Sequence, residues 1–193
     1  MKIGFDFDNT IVCYDQAIEI LSVALNLPDD LKRNKLSIRD YLRSQNREHE
    51  WTEFQGTLYG PGMKYAKPYE FFIENANALK NQQHELFIIS HRSKYPYTGE
   101  KHDLHQFAKI WLEDKINRKK IICNKNIFFL ETLENKIKKI NELEIDLYID
   151  DLVEVINHNN FPTETRAILF DPDYKKINIE NRISNWNNIT NYV

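Results

Sequence analysis

The chain has 193 residues, 41% of them apolar, enough for one domain with an ordinary core and room for a small insert. Its 26 basic and 29 acidic side chains nearly balance, at a net charge of -3, which argues against a nucleic-acid binder or a membrane-surface protein. No stretch approaches the roughly 20 apolar residues of a membrane span, and the first residues run directly into a strand pattern, so a cytoplasmic location is expected. Cys13 and Cys123 stand beside apolar residues without partners at metal-ligand spacing, and both are expected to be buried free thiols.

Residues 2–8 alternate strictly, with Ile3, Phe5 and Phe7 on one side and Gly4, Asp6 and Asp8 on the other: a strand ending in carboxylates. Ile18, Leu21 and Leu25 recur at helical spacing until Pro28. Residues 29–57 are more polar, with Arg33, Arg39, Arg43 and Arg47 among short helical patterns, and end at the turn signal of residues 59–62; this reads as an insert. Pro68 is expected to open a helix whose stripe is Phe72, Ala76 and Leu79. Residues 85–90 form a short apolar run, as in a parallel strand covered on both faces. Asp103 can cap the next helix, where Leu104, Phe107, Ala108, Trp111 and Leu112 share one face. Further strands are expected at 121–123, 127–130, 146–149 and 167–170, a helix at 133–143, and a short amphipathic helix around Trp186 and Ile189.

Strand and helix alternate, so the fold class is α/β: a parallel sheet with helices on both faces and its ligand crevice at the carboxyl ends of the strands. Four places put reactive side chains at that end: Asp6 with Asp8, Ser90, Lys136, and Asp150 with Asp151. Two acidic pairs, a hydroxyl and an ammonium suit a phosphate bound beside a hard divalent cation with oxygen ligands.

Asp6-Phe7-Asp8-Asn9-Thr10 resembles the DxDxT signature of the haloacid dehalogenase (HAD) superfamily of phosphohydrolases. Ser90, Lys136 and the pair Asp150-Asp151 follow in the order of that family's remaining motifs, so the resemblance spans residues 3–151. It implies a Rossmann-like core over 1–13 and 68–193, with a small helical cap over 14–67 inserted after the first strand. It implies Asp6 as the nucleophile that forms an aspartyl-phosphate, with Asp8 as general acid and base. Thr10, Ser90 and Lys136 would serve the phosphate. A magnesium ion would be held by Asp6, Asp150 and Asp151 and by the backbone carbonyl of Asp8.

Among the lysines of 133–143, only Lys136 borders the stripe of Leu133, Ile137 and Ile140, and it stands in the first turns, from which side chains lean toward the crevice. Arg92 after Ser90, and Lys64 and Lys67 beside the candidate hinge glycines Gly60 and Gly62, are further candidates for gripping substrate. The expected partner is a small phosphorylated metabolite. A nucleotidase is the nearest alternative. A receiver-like module or a non-catalytic phosphate-binding protein would use similar residues, but a receiver places its acidic pair after the first strand and its phospho-aspartate after an inner one.

Overall fold

The computed structural model of the chain describes residues 1–173, 179 and 181–193. Strand β1 (Lys2–Phe5) opens it, and the Asp6 amide still donates to the Ile149 carbonyl at 2.8 Å, so the ladder reaches the first carboxylate. A turn follows, made possible by Asn9 in the left-handed region (φ 58), which asparagine tolerates better than most residues. Then come β2 (Val12–Cys13), α1 (Asp15–Leu21) with a 3-10 turn over Ser22–Leu25, α2 (Lys35–Ser44), α3 (Glu48–Tyr59) and β3 (Lys67–Pro68). The Asn34 side chain starts α2 by accepting from the Ser37 amide at 2.8 Å.

Helix α4 (Phe72–Asn81) begins four residues after Pro68, not at it. Phe71 has φ 64, and a left-handed residue cannot continue a right-handed helix, so the first turn forms only after it. The buried stripe of Phe72, Ala76 and Leu79 is as read. Next are β4 (Glu85–His91), α5 (Leu104–Lys115), β5 (Ile127–Leu130), α6 (Leu133–Glu142), β6 (Leu147–Asp150), α7 (Val153–Ile156), β7 (Arg166–Phe170) and β8 (Arg182–Ile183). Asp103 caps α5 by accepting from the Gln106 amide at 2.9 Å. A 3-10 helix over Trp186–Tyr192 stands where the amphipathic terminal helix was expected.

Residues 121–123 are not a strand. The Ile122 amide donates to the Asn117 side chain at 3.2 Å, so its backbone is satisfied locally while Ile121 and Ile122 fill buried places. Cys123, next along, is exposed and Cys13 half-buried, against the expectation of two buried thiols. At the start of α7 Leu152 holds the cap position, and Asp150 Oδ1 accepts from the Leu152 amide at 2.9 Å, fixing the loop after β6.

The main sheet has six strands in the order β5-β4-β1-β6-β7-β8, every pair parallel. The chain winds outward through β4 and β5, then returns to lay β6 on the other side of β1. That reversal opens a crevice at the carboxyl ends of β1 and its neighbours. Alternation sorts the two faces. One carries Phe87, Ile89, Tyr148 and Ile145 against Ile137 and Ile140 of α6 and Val155 of α7. The other packs Phe5, Phe72, Phe170 and Trp186 together, with ring centroids 4.9 to 5.6 Å apart.

Two compact units are distinguishable: residues 1–12, 68–92 and 115–193, which hold the sheet, and residues 13–67 with 93–114. The second unit therefore includes α5 and the segment before it, beyond the 14–67 expected for an insert. Within it the Trp111 indole donates to the Ala66 carbonyl at 3.1 Å, and Trp51, Phe54, Ile38, Leu42 and Leu58 are buried. Its arginines are mostly structural. Arg43 and Arg47 make forked contacts to Glu48 and Glu50, and Arg47 also donates to the Leu25 carbonyl at 2.7 Å. Gly62 is required by packing: a Cβ there would lie 2.5 Å from Leu21 Cδ1 and 2.8 Å from the Thr57 carbonyl oxygen.

Gly4 answers the same need in the sheet, since a Cβ at that position would meet Tyr148 Cδ2 at 2.7 Å and Ile145 Cγ2 at 3.3 Å. Tyr148 is fully buried and donates its hydroxyl to the Ile89 carbonyl, so its ring cannot withdraw without losing that bond. Gly4→Ala is expected to lower stability by about 1–3 kcal/mol through overpacking. An unchanged urea midpoint would contradict this account.

Candidate active site

The strand ends position the acids. Asp6 directly follows β1, Asp150 ends β6, and Asp151 is the next residue, so a parallel neighbour pair delivers three carboxylates to one place. One oxygen from each lies within 4.8 Å of the others. Ser90, the penultimate residue of β4, is 1% exposed, and its hydroxyl has no hydrogen-bond partner among the described residues. A buried hydroxyl left unsatisfied is costly unless a ligand completes it.

Lys136 enters from α6, whose first turn is capped by Thr132 accepting from the Asn135 amide at 3.2 Å. Its side chain is wholly buried on the same stripe as Ile137 and Ile140, while Lys138 and Lys139 pair with Glu142 outside. The Nζ atom lies 2.6 Å from Asp6 Oδ1 and 2.6 Å from Asp150 Oδ2. It lies 3.4 Å from His91 Nδ1, which can accept from an ammonium only if the ring proton is on Nε2.

The charges are strongly linked. Burial pushes the Asp6 carboxyl well above its ordinary value; the Lys136 ammonium opposes this, while Asp150, Asp151 and Asp8 add to it. Burial alone would lower Lys136, yet the Asp150 and Asp6 carboxylates outweigh it and hold the amine above its usual value. Burial, then the same ammonium, pushes His91 down. One buried cation thus faces several carboxylates, an imbalance that a hard divalent cation with oxygen ligands fits.

Thr10 is buried and donates to Asp151 Oδ1 at 3.4 Å, tying the turn after β1 to the loop after β6. Its carbonyl accepts from the Trp186 indole at 3.2 Å. Asp8 stands apart from the three clustered acids, with Arg92 Nη1 3.4 Å from its Oδ1. Arg92 is not a solvent-reaching loop residue: it is 8% exposed, with its guanidinium 5.7 Å from the centroid of the Phe7 ring. Lys64 and Lys67 belong to the second unit, where both are exposed and Lys64 lies over the Tyr65 ring.

Of the predicted residues, the structure brings Asp6, Thr10, Ser90, Lys136, Asp150 and Asp151 to the same strand ends, with Asp8 and Arg92 beside them. Sequence reasoning missed the parts played by His91, Tyr148, Asn9 and Trp186. The Asn9 turn had a signal in its αL tolerance; Trp186, 176 residues from Thr10, had none. The acidic pair stands at the end of β6 and Asp6 follows β1, the reverse of a receiver's arrangement.

No protein-family model matches the chain. A protein of Bacillus cereus described as "Putative nucleotidase" is 25% identical over 163 residues, 81% of this chain and 79% of that one. Among solved structures, a haloacid dehalogenase-like family hydrolase of Streptococcus pneumoniae superposes with a TM-score of 0.67 at 12% identity, over 99% of this chain and 97% of the other. YfnB of Bacillus subtilis, solved bound to magnesium, gives a TM-score of 0.60 at 15% identity over 99% and 97%. The parallel sheet, its switch point at β1 and these superpositions agree with the resemblance carried by Asp6-Phe7-Asp8-Asn9-Thr10: the chain shares the fold of haloacid dehalogenase-like hydrolases.

Proposed function

We propose that this chain is a magnesium-dependent phosphomonoesterase that works through an aspartyl-phosphate on Asp6, with a small phosphorylated metabolite as substrate. One observation carries the reading: a fully buried ammonium spans Asp6 and Asp150 at 2.6 Å each, beside Asp151. The buried, unbonded Ser90 hydroxyl supports it, as a donor waiting for a phosphate oxygen.

Asp6, Asp150 and Asp151 would hold the magnesium ion, which when bound neutralises charge on the phosphate oxygens. Ser90 and Lys136 grip the phosphate. A carboxylate oxygen of Asp6 attacks phosphorus while the ester P–O bond breaks, and Asp8 gives its proton to the departing oxygen. Asp8, now ionised, takes a proton from water. That water attacks the phosphorus of the aspartyl-phosphate, its acyl P–O bond breaks, and inorganic phosphate leaves with Asp6 restored. The description of the Bacillus cereus relative favours a nucleoside monophosphate as the second reading of the same chemistry.

The test is a screen of sugar phosphates, nucleotides and small phosphomonoesters with magnesium present or chelated. Turnover is expected to need the metal, to vanish in Asp6→Asn, and to fall by about 100- to 10,000-fold in Asp8→Asn. Turnover in chelator, or turnover untouched by Asp6→Asn, would overturn the mechanism.

Lys136→Met would leave buried carboxylates without their ammonium and is expected to cost about 3–5 kcal/mol in metal-free protein, measured by chemical denaturation.

Magnesium stabilisation should also depend on pH. In the metal-free protein the raised pKa of Asp6 contributes stability in full below the ordinary value of 3.8, and this is lost as pH rises through the folded-state value. Proton and cation compete for the same carboxylate. The rise in melting temperature caused by magnesium is therefore expected to grow with pH across that window, and a pH-independent rise would show that Asp6 is not a ligand.

A further inference from the structure

We infer that Arg92 is a positioning residue: it holds the Asp8 carboxylate in place and acts on the reaction through Asp8, without gripping the substrate. The inference rests on the proposed role of Asp8 as acid and base.

Arg92 is anchored at both ends. Its backbone amide donates to the Leu130 carbonyl at 2.7 Å, pinning the residue after β4 to the end of β5. Its guanidinium lies over the Phe7 ring and reaches Asp8 Oδ1 at 3.4 Å, with the side chain 6% exposed. Arginine stays charged at any ordinary pH, so a guanidinium this deeply buried requires a carboxylate beside it.

Asp8, by contrast, sits where the ladder has ended. Asn9, the next residue, is left-handed, and the Ile11 and Val12 amides both turn back to the Phe7 carbonyl, so Asp8 projects from a turn. Its side chain is 21% exposed, the most open of this pair. Each carboxylate at the strand ends is tethered: Asp6 and Asp150 share Lys136, Asp151 accepts from Thr10, and Asp8 faces Arg92. An acid that must meet a departing oxygen and then a water needs one fixed orientation, because misplacement by about 1 Å can cost on the order of 100-fold.

Two double-mutant cycles test this. In turnover, Arg92→Met keeps the apolar stem on Phe7 and is expected to lower kcat by about 10- to 100-fold with KM changed less than about threefold. Added to Asp8→Asn it should cost less than about twofold more, because its route is already lost. Arg92→Lys should recover part of kcat. A rise in KM with kcat kept, or a full loss in the Asp8→Asn background, would overturn the inference and make Arg92 a substrate contact. In thermal melting without substrate, Asp8→Ala and Arg92→Met should shift the midpoint non-additively; additive shifts would show that the two side chains do not hold each other. The melting cycle decides the contact even if wild-type turnover fails to appear, a failure that would instead strike the proposed function.

Discussion

A lysine ammonium with no exposed surface, 2.6 Å from two carboxylates on neighbouring strands, is the contact around which the rest is arranged. Burying an ion costs several kcal/mol, and only close opposite charge offsets it. Lys136 therefore needs Asp6 and Asp150 in place, and they need it. Because Asp6 follows β1 and Asp150 ends β6, the pair also clamps the carboxyl ends of two strands at the switch point.

The surroundings are built to keep that cluster dry and fixed. Tyr148 lies under the ammonium, 5.6 Å from it to the ring centroid, and can do so only because Gly4 on the adjacent strand lacks a side chain. On the other face Trp186 packs with Phe5, Phe72 and Phe170 and sends its indole N–H to the Thr10 carbonyl. The turn after β1 is thus held from the far end of the chain. The crevice holds an unsatisfied Ser90 hydroxyl and a surplus of negative charge. Those are the needs that a phosphate and a divalent cation would meet together.

The second unit answers to different physics. Its arginines mostly spend their charge on neighbouring acidic side chains and helix-end carbonyls. Helix α5 joins it although its stripe of Leu104, Ala108, Trp111 and Leu112 looks like that of any crossover helix. Helical periodicity says that a face is buried, not which surface receives it.

By itself the sequence determined the α/β order, the strand ends that bear Asp6, Ser90 and Asp150, and the choice of Lys136 over Lys138 and Lys139. These follow from periods of 2 and 3.6, which are properties of the local backbone. Where a short-range competitor existed, the reading missed: Asn117 satisfied Ile122 in place of a strand, and Phe71 delayed α4. Only the tertiary structure decided the partnerships of Arg92 with Asp8, Trp186 with Thr10 and Gly4 with Tyr148, and the membership of α5. Each depends on which segments are neighbours in space, as with the Trp186 indole and the Thr10 carbonyl 176 positions apart, and no local pattern encodes that.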